Sequence, residues 1–296
     1  MELPSSKKLN ALAHESKRAG IELFSGGLTF MAHLTICQLL GGLLKIHSST
    51  PLGIPNILGG LAVATGSVIS LEAATWAGKV SSGNYAPPSL TLDKIFHQDQ
   101  GCVEENLETG LLGIVLFRAL GGKFYSSFPS ELRSLGAFRQ TKFSLPATEE
   151  YAGASQKLLL TKVGEVFGCH SCGSQKRPFI ADHMPPKKVV LQANARLWRR
   201  LTGIKMNFRG YFPQCQPCSQ LQAVAVRANR QQFKYHFTSI RRYHLTGFLL
   251  VLSLQCLQSR RNNSHQQGSW PFYAKLTTNM LSDSREESQF KGSEEI

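Results

Sequence analysis

The sequence predicts an α+β fold in which an N-terminal helical hairpin precedes a small four-cysteine module and a disordered tail. Two observations carry this prediction. Long uncharged stretches occur early, at residues 23–44 and 56–71, and four of the seven cysteines form two Cys-x-x-Cys pairs further along. Of the 296 residues, 42% are hydrophobic, which excludes a collagenous, a wholly disordered or a disulfide-stapled chain.

The first uncharged stretch, residues 23–44, contains 22 residues. As a helix it extends about 33 Å, close to the thickness of the hydrocarbon layer of a membrane. The second stretch carries small residues at every fourth position: Ala62, Gly66, Ser70, Ala74 and Gly78. Such a row lets two helices approach closely in lipid. We therefore predict a transmembrane hairpin over 23–79, and a pair of buried helices in a soluble fold is the alternative.

The cysteine pairs are Cys169-x-x-Cys172 and Cys215-x-x-Cys218, and 42 residues separate them. Spacing of this kind lets both thiolates of one turn face one ion, so two turns complete a tetrahedral site. We predict a structural Zn²⁺ held by these four cysteines, with a redox pair or structural disulfides as alternatives. Apolar residues recur at helical spacing over 221–228, which predicts a helix after the second pair.

Between the two pairs, residues 178–181 predict a short strand that ends at Asp182 and His183. Two prolines then halt regular structure. The motifs CHSC, ADHMPP and CQPC occur in that order over residues 168–230. This arrangement resembles the treble-clef zinc module of the HNH endonuclease superfamily, and the resemblance implies a ββα module.

The resemblance also implies catalytic roles for the dipeptide after the strand. His183 would be the general base, and Asp182 would help hold a catalytic Mg²⁺ or Mn²⁺. Ser219 and Gln222 stand where the family usually has a His or Asn ligand and a Lys. The alternative for His183 is structural: it hydrogen-bonds the zinc-bound sulfurs or packs under the two prolines.

Positive charge is concentrated in one segment. Residues 156–242 contain 16 Lys and Arg against 2 Asp and Glu, and the formal net charge of the whole chain is +14, so the remainder sums to zero. Over 195–212, cations alternate with aromatic residues, an inventory that suits anionic lipid headgroups or nucleic acid. We favour lipid headgroups because the predicted hairpin makes the bilayer the nearest anion.

Changes in composition set the predicted boundaries: a polar segment 1–22, the hairpin 23–79, a linker with amphipathic helices 80–155, the basic zinc module 156–242, an apolar segment 243–261 and a disordered tail 262–296. Within the linker, the apolar block 107–124 is expected to lie on the membrane or on the hairpin. Ser130 is expected to cap a helix. Basic residues flank the hairpin, whereas its connection holds only Lys45, so both termini and the zinc module are expected on the cytoplasmic or matrix side.

We therefore expect a multi-pass, membrane-anchored zinc protein whose basic module binds or scaffolds at an anionic membrane surface. Its expected partners are the bilayer and unidentified proteins. The alternative is a membrane-tethered, HNH-like nuclease with His183 as general base, so the sequence leaves open whether the chain is an enzyme. A small transport or channel subunit, based on His33 and Glu72, is a third hypothesis.

Overall fold

The computed structural model describes residues 6–83, 100–237 and 239–266. Within these ranges the chain is rich in helix and has a few short strands. The α-helices are α1 (Ser6–Leu43), α2 (Ile54–Ser81), α3 (Gln100–Ala119), α4 (Ala154–Phe167), α5 (Lys187–Asn194), α6 (Leu197–Thr202), α7 (Gln216–Arg227) and α8 (Thr246–Gln266). The strands are β1 (Ser130–Glu131), β2 (Phe179–Met184), β3 (Gly210–Cys215) and β4 (Phe233–Lys234). Short 3₁₀ helices occur at Phe124–Ser127, Thr141–Phe143 and Arg242–Leu245.

The first two helices are the apolar helices that the sequence predicts. Ala13–Leu43 within α1, and all of α2, are long and apolar enough to cross a membrane by length and composition. The presence of two apolar helices in a mixed fold is thereby confirmed. α1 begins at Ser6, well before the uncharged stretch, so most of the predicted polar segment 1–22 is helical as well.

Helices α1 and α2 approach each other through the row of small residues. The Ser70 hydroxyl donates to the Gly26 carbonyl oxygen at 2.7 Å. A Cβ atom on Gly66 would lie 2.7 Å from the His33 ring, and one on Gly78 would collide with the Glu22 carboxylate. The paired residues run in opposite directions along the two helices, and glycine is needed at these close approaches.

The helix α3 and the segment before α8 complete the apolar core around this pair. α3 packs on α2 where a Cβ atom on Gly110 would contact Ala64. One buried cluster joins residues of α1, α2, α3 and the 3₁₀ helix before α8: Phe30, Leu34, Val63, Phe117 and Tyr243. The start of α8 also packs on α1, since Gly247 lies against Phe30.

The connection between α1 and α2 is bonded to the residues that follow α3. The Ser48 N–H donates to the Pro129 carbonyl oxygen at 3.0 Å, and the Ser48 hydroxyl donates to the Leu135 carbonyl oxygen at 3.3 Å. Near the end of α1, the buried Gln38 accepts a hydrogen bond from the backbone of His236 at 3.2 Å. The connection and the end of α1 are therefore bonded to segments that flank the cysteine-containing part of the chain.

Ser130 lies in strand β1, so the prediction that it caps a helix is wrong. β1 pairs antiparallel with β4, and Ser130 stands opposite Lys234. The Ser130 hydroxyl donates to the Ser171 carbonyl oxygen at 2.6 Å and accepts from the Ala137 N–H at 2.8 Å. A capping serine bonds its own helix, whereas Ser171 is 41 residues away, a tertiary contact that the local sequence does not contain.

Parts of the predicted linker and of the predicted tail fall on residues that the structure does not describe. α8 continues to Gln266, and the rest of the predicted tail lies outside the described residues, as do residues 84–99 of the predicted linker. By internal contacts the chain divides into one unit that ends at Val251 and a second that begins at Leu252. The cysteine cluster and the pocket described below belong to the first unit.

Candidate metal centre

A tight turn positions the first cysteine pair. The Gly173 N–H donates to the Cys169 carbonyl oxygen at 2.7 Å, and the Cys169 N–H donates to the Ser174 carbonyl oxygen at 2.8 Å. Gly173 has a φ of +75°, a left-handed conformation that side chains disfavour, and a Cβ atom there would collide with the Arg241 guanidinium. Glycine is therefore required for the turn that carries this pair.

The second pair spans the end of a strand and the start of a helix. β2 and β3 pair antiparallel, and Phe179 stands opposite Cys215. Helix α7 begins at the next residue, which puts Cys218 in its first turn, and Pro217 occupies a position where its missing N–H costs nothing. The helix predicted after the second pair is confirmed.

These elements bring the four cysteine sulfurs to one point. All four cysteines are buried, and their Sγ atoms lie within 4.8 Å of one another. The Sγ atoms of Cys172 and Cys215 are 3.6 Å apart, and the four residues are free thiols rather than disulfides. Four sulfurs bound tetrahedrally to zinc at about 2.3 Å lie ~3.8 Å from each other. The cluster is therefore compatible with zinc binding.

Crowding of the thiols links their protonation. Hydrogen bonds from Cys169, and then from Cys172 and Cys218, lower the pKa of Cys215 because they stabilise its thiolate. In the same cluster, hydrogen bonding to Cys172 raises the pKa of Cys169. Deprotonation of Cys215 is thus favoured, while deprotonation of Cys169 becomes less favourable. A bound dication would supply the charge that holds all four sulfurs as thiolates.

Comparison of the chain with protein-family models, with curated proteins and with solved structures finds no match.

The chemistry of the cluster follows from its donors, which are four thiols. Thiolate sets of this kind suit zinc, whereas hard cations such as Mg²⁺ prefer oxygen ligands.

A buried polar network borders the cluster. His170 accepts a hydrogen bond from the Gly136 N–H on Nδ1, and its Nε2 lies 3.6 Å from Asp182 Oδ2. Gln222 Nε2 donates to the same carboxylate oxygen at 3.1 Å. Asp182 therefore ties the end of β2 to the first cysteine turn and to α7. The sequence marked Gln222 only as a departure from the HNH pattern, because its partner lies 40 residues away.

His183 lies on the opposite face of β2 from Asp182, as neighbouring strand residues do. It is buried, and its Nε2 lies 2.9 Å from the Glu150 carbonyl oxygen and 3.1 Å from the Thr148 carbonyl oxygen. Carbonyl oxygens only accept, so Nε2 carries a hydrogen. Aromatic rings enclose the imidazole: Tyr151, Phe208 and Tyr211. The structure brings Asp182 beside the cysteine cluster but does not bring His183 there.

The helices α5 and α6 present cations and apolar side chains together at the surface. Arg196 and Arg200 are exposed, and so are Leu197 at 70% and Leu201 at 77%. The sequence has no Asp or Glu from 183 to 282, so these cations have no acidic neighbour along the chain. The predicted basic segment is thus solvent-facing in this region rather than part of the core around the cysteines.

Proposed function

We propose that this chain is a membrane-anchored zinc protein whose basic, treble-clef-like module binds or scaffolds at an anionic bilayer surface. One observation carries the proposal. The two apolar helices leave large apolar side chains exposed, while the connection between them is hydrogen-bonded to the segment that precedes the four-cysteine cluster. An apolar anchor and a basic module are therefore parts of one packed structure.

The exposed faces of the helices support a bilayer location. Phe24 and Leu28 on α1 are 63% and 58% exposed, Leu61 on α2 is 58% exposed, and Leu107 and Val115 on α3 are each 62% exposed. A fully exposed side chain of this kind forgoes about 1.5–3 kcal/mol relative to full burial, and these side chains are somewhat more than half exposed. Soluble monomers rarely expose large contiguous apolar patches. A lipid environment removes that cost.

The order of elements around the cysteines supports the treble-clef description. A tight turn with two cysteines comes first, the antiparallel strands β2 and β3 follow with the short helices α5 and α6 between them, and a helix begins at the second pair. Little apolar core surrounds the cluster, since among the described residues Phe179 is the one partly buried apolar side chain that packs against its four cysteines. A structural zinc would contribute on the order of 10 kcal/mol to folding such a lobe.

The contacts of the α1–α2 connection support a sidedness that differs from the charge-based expectation. Ser48 in the connection bonds to Pro129 and Leu135, which precede the cysteine module. When α1 and α2 both cross the bilayer, the N-terminal end of α1 emerges on the other face. We therefore propose that the module and the connection share one face and that the N-terminal segment lies on the opposite one.

The HNH-like nuclease is the second candidate. One observation favours it: the Asp182 carboxylate lies beside His170, and its side chain is 16% exposed, so a cation has access to it. The imidazole of His183 is instead bound to backbone carbonyls and enclosed by rings. A general base needs a free nitrogen facing the water that it activates. The binding role is therefore the one that we propose.

Tryptophan fluorescence in lipid nanodiscs tests both halves of the proposal. Trp76 in α2 is 46% exposed and Trp198 in α6 is 48% exposed, so each is available as a separate probe when Trp270 and the other are replaced by Phe. Brominated lipids quench indoles that touch the acyl region. We expect Trp76 to be quenched in neutral and anionic discs, and Trp198 to be quenched in anionic discs and to recover in high salt.

The two probes separate the two claims. A Trp76 that is not quenched in either disc contradicts the membrane anchor. A Trp198 that is quenched equally in neutral and anionic discs, or in neither, contradicts the electrostatic contact with anionic lipid.

A further inference from the structure

A cavity of about 360 Å³ lies where the helices meet the cysteine module. Its walls come from the turn after α3 and from the 3₁₀ helix before α8, together with residues 137–140 and Phe167. We call it the basic pocket and define it by Lys123, Phe138, Phe167, Arg241, Arg242 and Tyr243. Its volume lies in the range of pockets that hold small ligands.

Three cations line the basic pocket, and none of the described residues that line it carries a carboxylate. The Lys123 ammonium donates to the Arg139 carbonyl oxygen at 3.0 Å and to the Gln140 amide oxygen at 3.1 Å. Both partners are neutral, so the charge of Lys123 is held in place without being neutralised. An ammonium has three donors, and one is left for a ligand.

The two arginines are likewise without acidic partners. Arg241 stacks on the Phe138 ring at 5.0 Å and donates to the Gly173 carbonyl oxygen, and Arg242 is exposed. Across residues 6–83, 100–237 and 239–266, no ion pair includes Lys123, Arg241 or Arg242. The pocket therefore concentrates positive charge that nothing in the described part of the chain offsets.

Tyr243 supplies a second, independent observation. It lines the pocket and is only 7% exposed, and its phenolic oxygen is buried without a hydrogen-bond partner among the described residues. The Ser126 hydroxyl, which donates to the Lys123 carbonyl oxygen at 2.5 Å, lies close enough to act on the phenol but does not pair with it in hydrogen-bond geometry. Buried hydroxyl groups are almost always paired, so the phenol has a hydrogen to donate to a ligand in the cavity.

The ligand that satisfies these groups is an anion with several acceptor oxygens and an apolar part. A phosphate offers oxygens to Lys123, Arg242 and the Tyr243 hydroxyl, while Phe138 and Phe167 offer an apolar wall. The pocket also adjoins the apolar core, because Tyr243 packs with Phe117 at a ring-centroid distance of 5.0 Å. An anionic lipid near a helix boundary has both parts.

We propose that the basic pocket binds the phosphate headgroup of an anionic phospholipid. The inference deepens the proposed membrane function and rests on it, since the lipid is available only to a chain that lies at a bilayer. The charges come from Lys123, Arg241 and Arg242, and the Tyr243 hydroxyl donates to a phosphate oxygen. A free phosphate offers the same acceptors but no apolar part.

Native mass spectrometry of the full chain in detergent tests the pocket directly. The probes are phosphatidic acid, phosphatidylcholine and inorganic phosphate. We expect one phosphatidic acid per chain, bound at least about tenfold more tightly than phosphatidylcholine. Tyr243→Phe and Arg242→Gln should each weaken it by about tenfold, the usual effect of losing one hydrogen bond to a charged group. Arg200→Gln, an exposed cation on α6, is the matched control and should change nothing.

Three results overturn the proposal. The first is equal affinity for phosphatidic acid and phosphatidylcholine, and the second is an equal loss of affinity for phosphatidic acid in Arg200→Gln and Arg242→Gln. The third is an affinity for phosphatidic acid that is unchanged in both Tyr243→Phe and Arg242→Gln. Inorganic phosphate that competes with phosphatidic acid at equal concentration overturns the lipid assignment, because the apolar wall then contributes nothing. Circular dichroism verifies that the variants are folded. The assay needs no bilayer, so a failed nanodisc experiment and a failed pocket remain distinguishable.

Discussion

The Nε2 atom of His183 lies 2.9 Å from the carbonyl oxygen of Glu150, and this bond fastens the segment before α4 to strand β2. A second carbonyl, that of Thr148, lies 3.1 Å from the same nitrogen. An imidazole held between backbone acceptors and aromatic rings positions the chain around it. We infer that His183 stabilises the module.

Substitution of this histidine tests that role against catalysis. His183→Ala should lower the free energy of unfolding by about 1–3 kcal/mol, because the Thr148 and Glu150 carbonyls lose their donor and a buried side chain is removed from among the aromatic rings. Thermal unfolding of the full chain measures this effect, and a plasmid-nicking assay with Mg²⁺ or Mn²⁺ measures activity. We expect no nicking by the natural chain. Metal-dependent nicking that disappears in both His183→Ala and Asp182→Asn would instead support the nuclease.

Two adjacent glycines in α2 test how this helix packs on the 3₁₀ helix Phe124–Ser127. A Cβ atom on Gly59 would lie 2.1 Å from the Phe124 carbonyl oxygen, whereas one on Gly60 would meet nothing within 4 Å. Gly59→Ala should destabilise the chain by about 1–3 kcal/mol, because backbone must move. Gly60→Ala should be neutral or stabilise by up to about 1 kcal/mol. Equal thermal midpoints for the two variants contradict the packing of α2 on this turn.

Labelling with a membrane-impermeant maleimide tests the proposed sidedness. Leu52 in the connection is 89% exposed, and Arg227 in α7 and His14 in α1 are exposed as well. The three cysteines outside the cluster are first replaced by serine. In sealed vesicles, Leu52→Cys and Arg227→Cys should react from the same side, and His14→Cys from the other. Reaction of His14→Cys and Arg227→Cys from one side supports the charge-based orientation instead.

Two buried histidines predict how stability depends on pH. The pKa of His236 is lowered to about 4, chiefly by burial; the Phe128 carbonyl opposes this shift, and His244, Arg241 and Lys234 add to it. Burial likewise lowers the pKa of His244 to about 4. An unfolded histidine has a pKa near 6.5. The unfolded chain therefore takes up protons first as the pH falls, so this stability is complete above about pH 6.5 and is lost towards pH 4.

The variant His236→Leu isolates this contribution. The slope of unfolding free energy against pH, measured by chemical denaturation between about pH 6 and 4.5, should decrease by up to about 1.4 kcal/mol per pH unit, the effect of one proton. Loss of metal at low pH affects both proteins alike. An unchanged slope shows that His236 is protonated in the folded chain.

The convergence of the cysteines could be predicted because each pair is a local feature. Two-residue spacing puts Cys169 and Cys172 on one turn, and shared metal chemistry then requires the second pair to join them. The helices α1 and α2 could be predicted because the length of an uncharged stretch is also a local property.

The partners of single polar side chains could not be predicted in this way. Ser130, Asp182 and His183 bond to residues 41, 40 and 33 positions away. Such contacts depend on how strands and turns pack, and the sequence near each residue does not predict them. Sidedness is likewise not a local property, since a count of charges leaves out the bonds that Ser48 makes.

Metal analysis of the purified full chain tests the central claim, that four cysteines bind one ion and organise the basic module. Elemental analysis should give one zinc per chain, and zinc-edge X-ray absorption should give four sulfur ligands at about 2.3 Å. Cys169→Ser should lose the metal, whereas Cys37→Ser, in α1, should retain it. A chain from zinc-replete cells that contains no zinc, or a spectrum with fewer than four sulfurs, contradicts the claim.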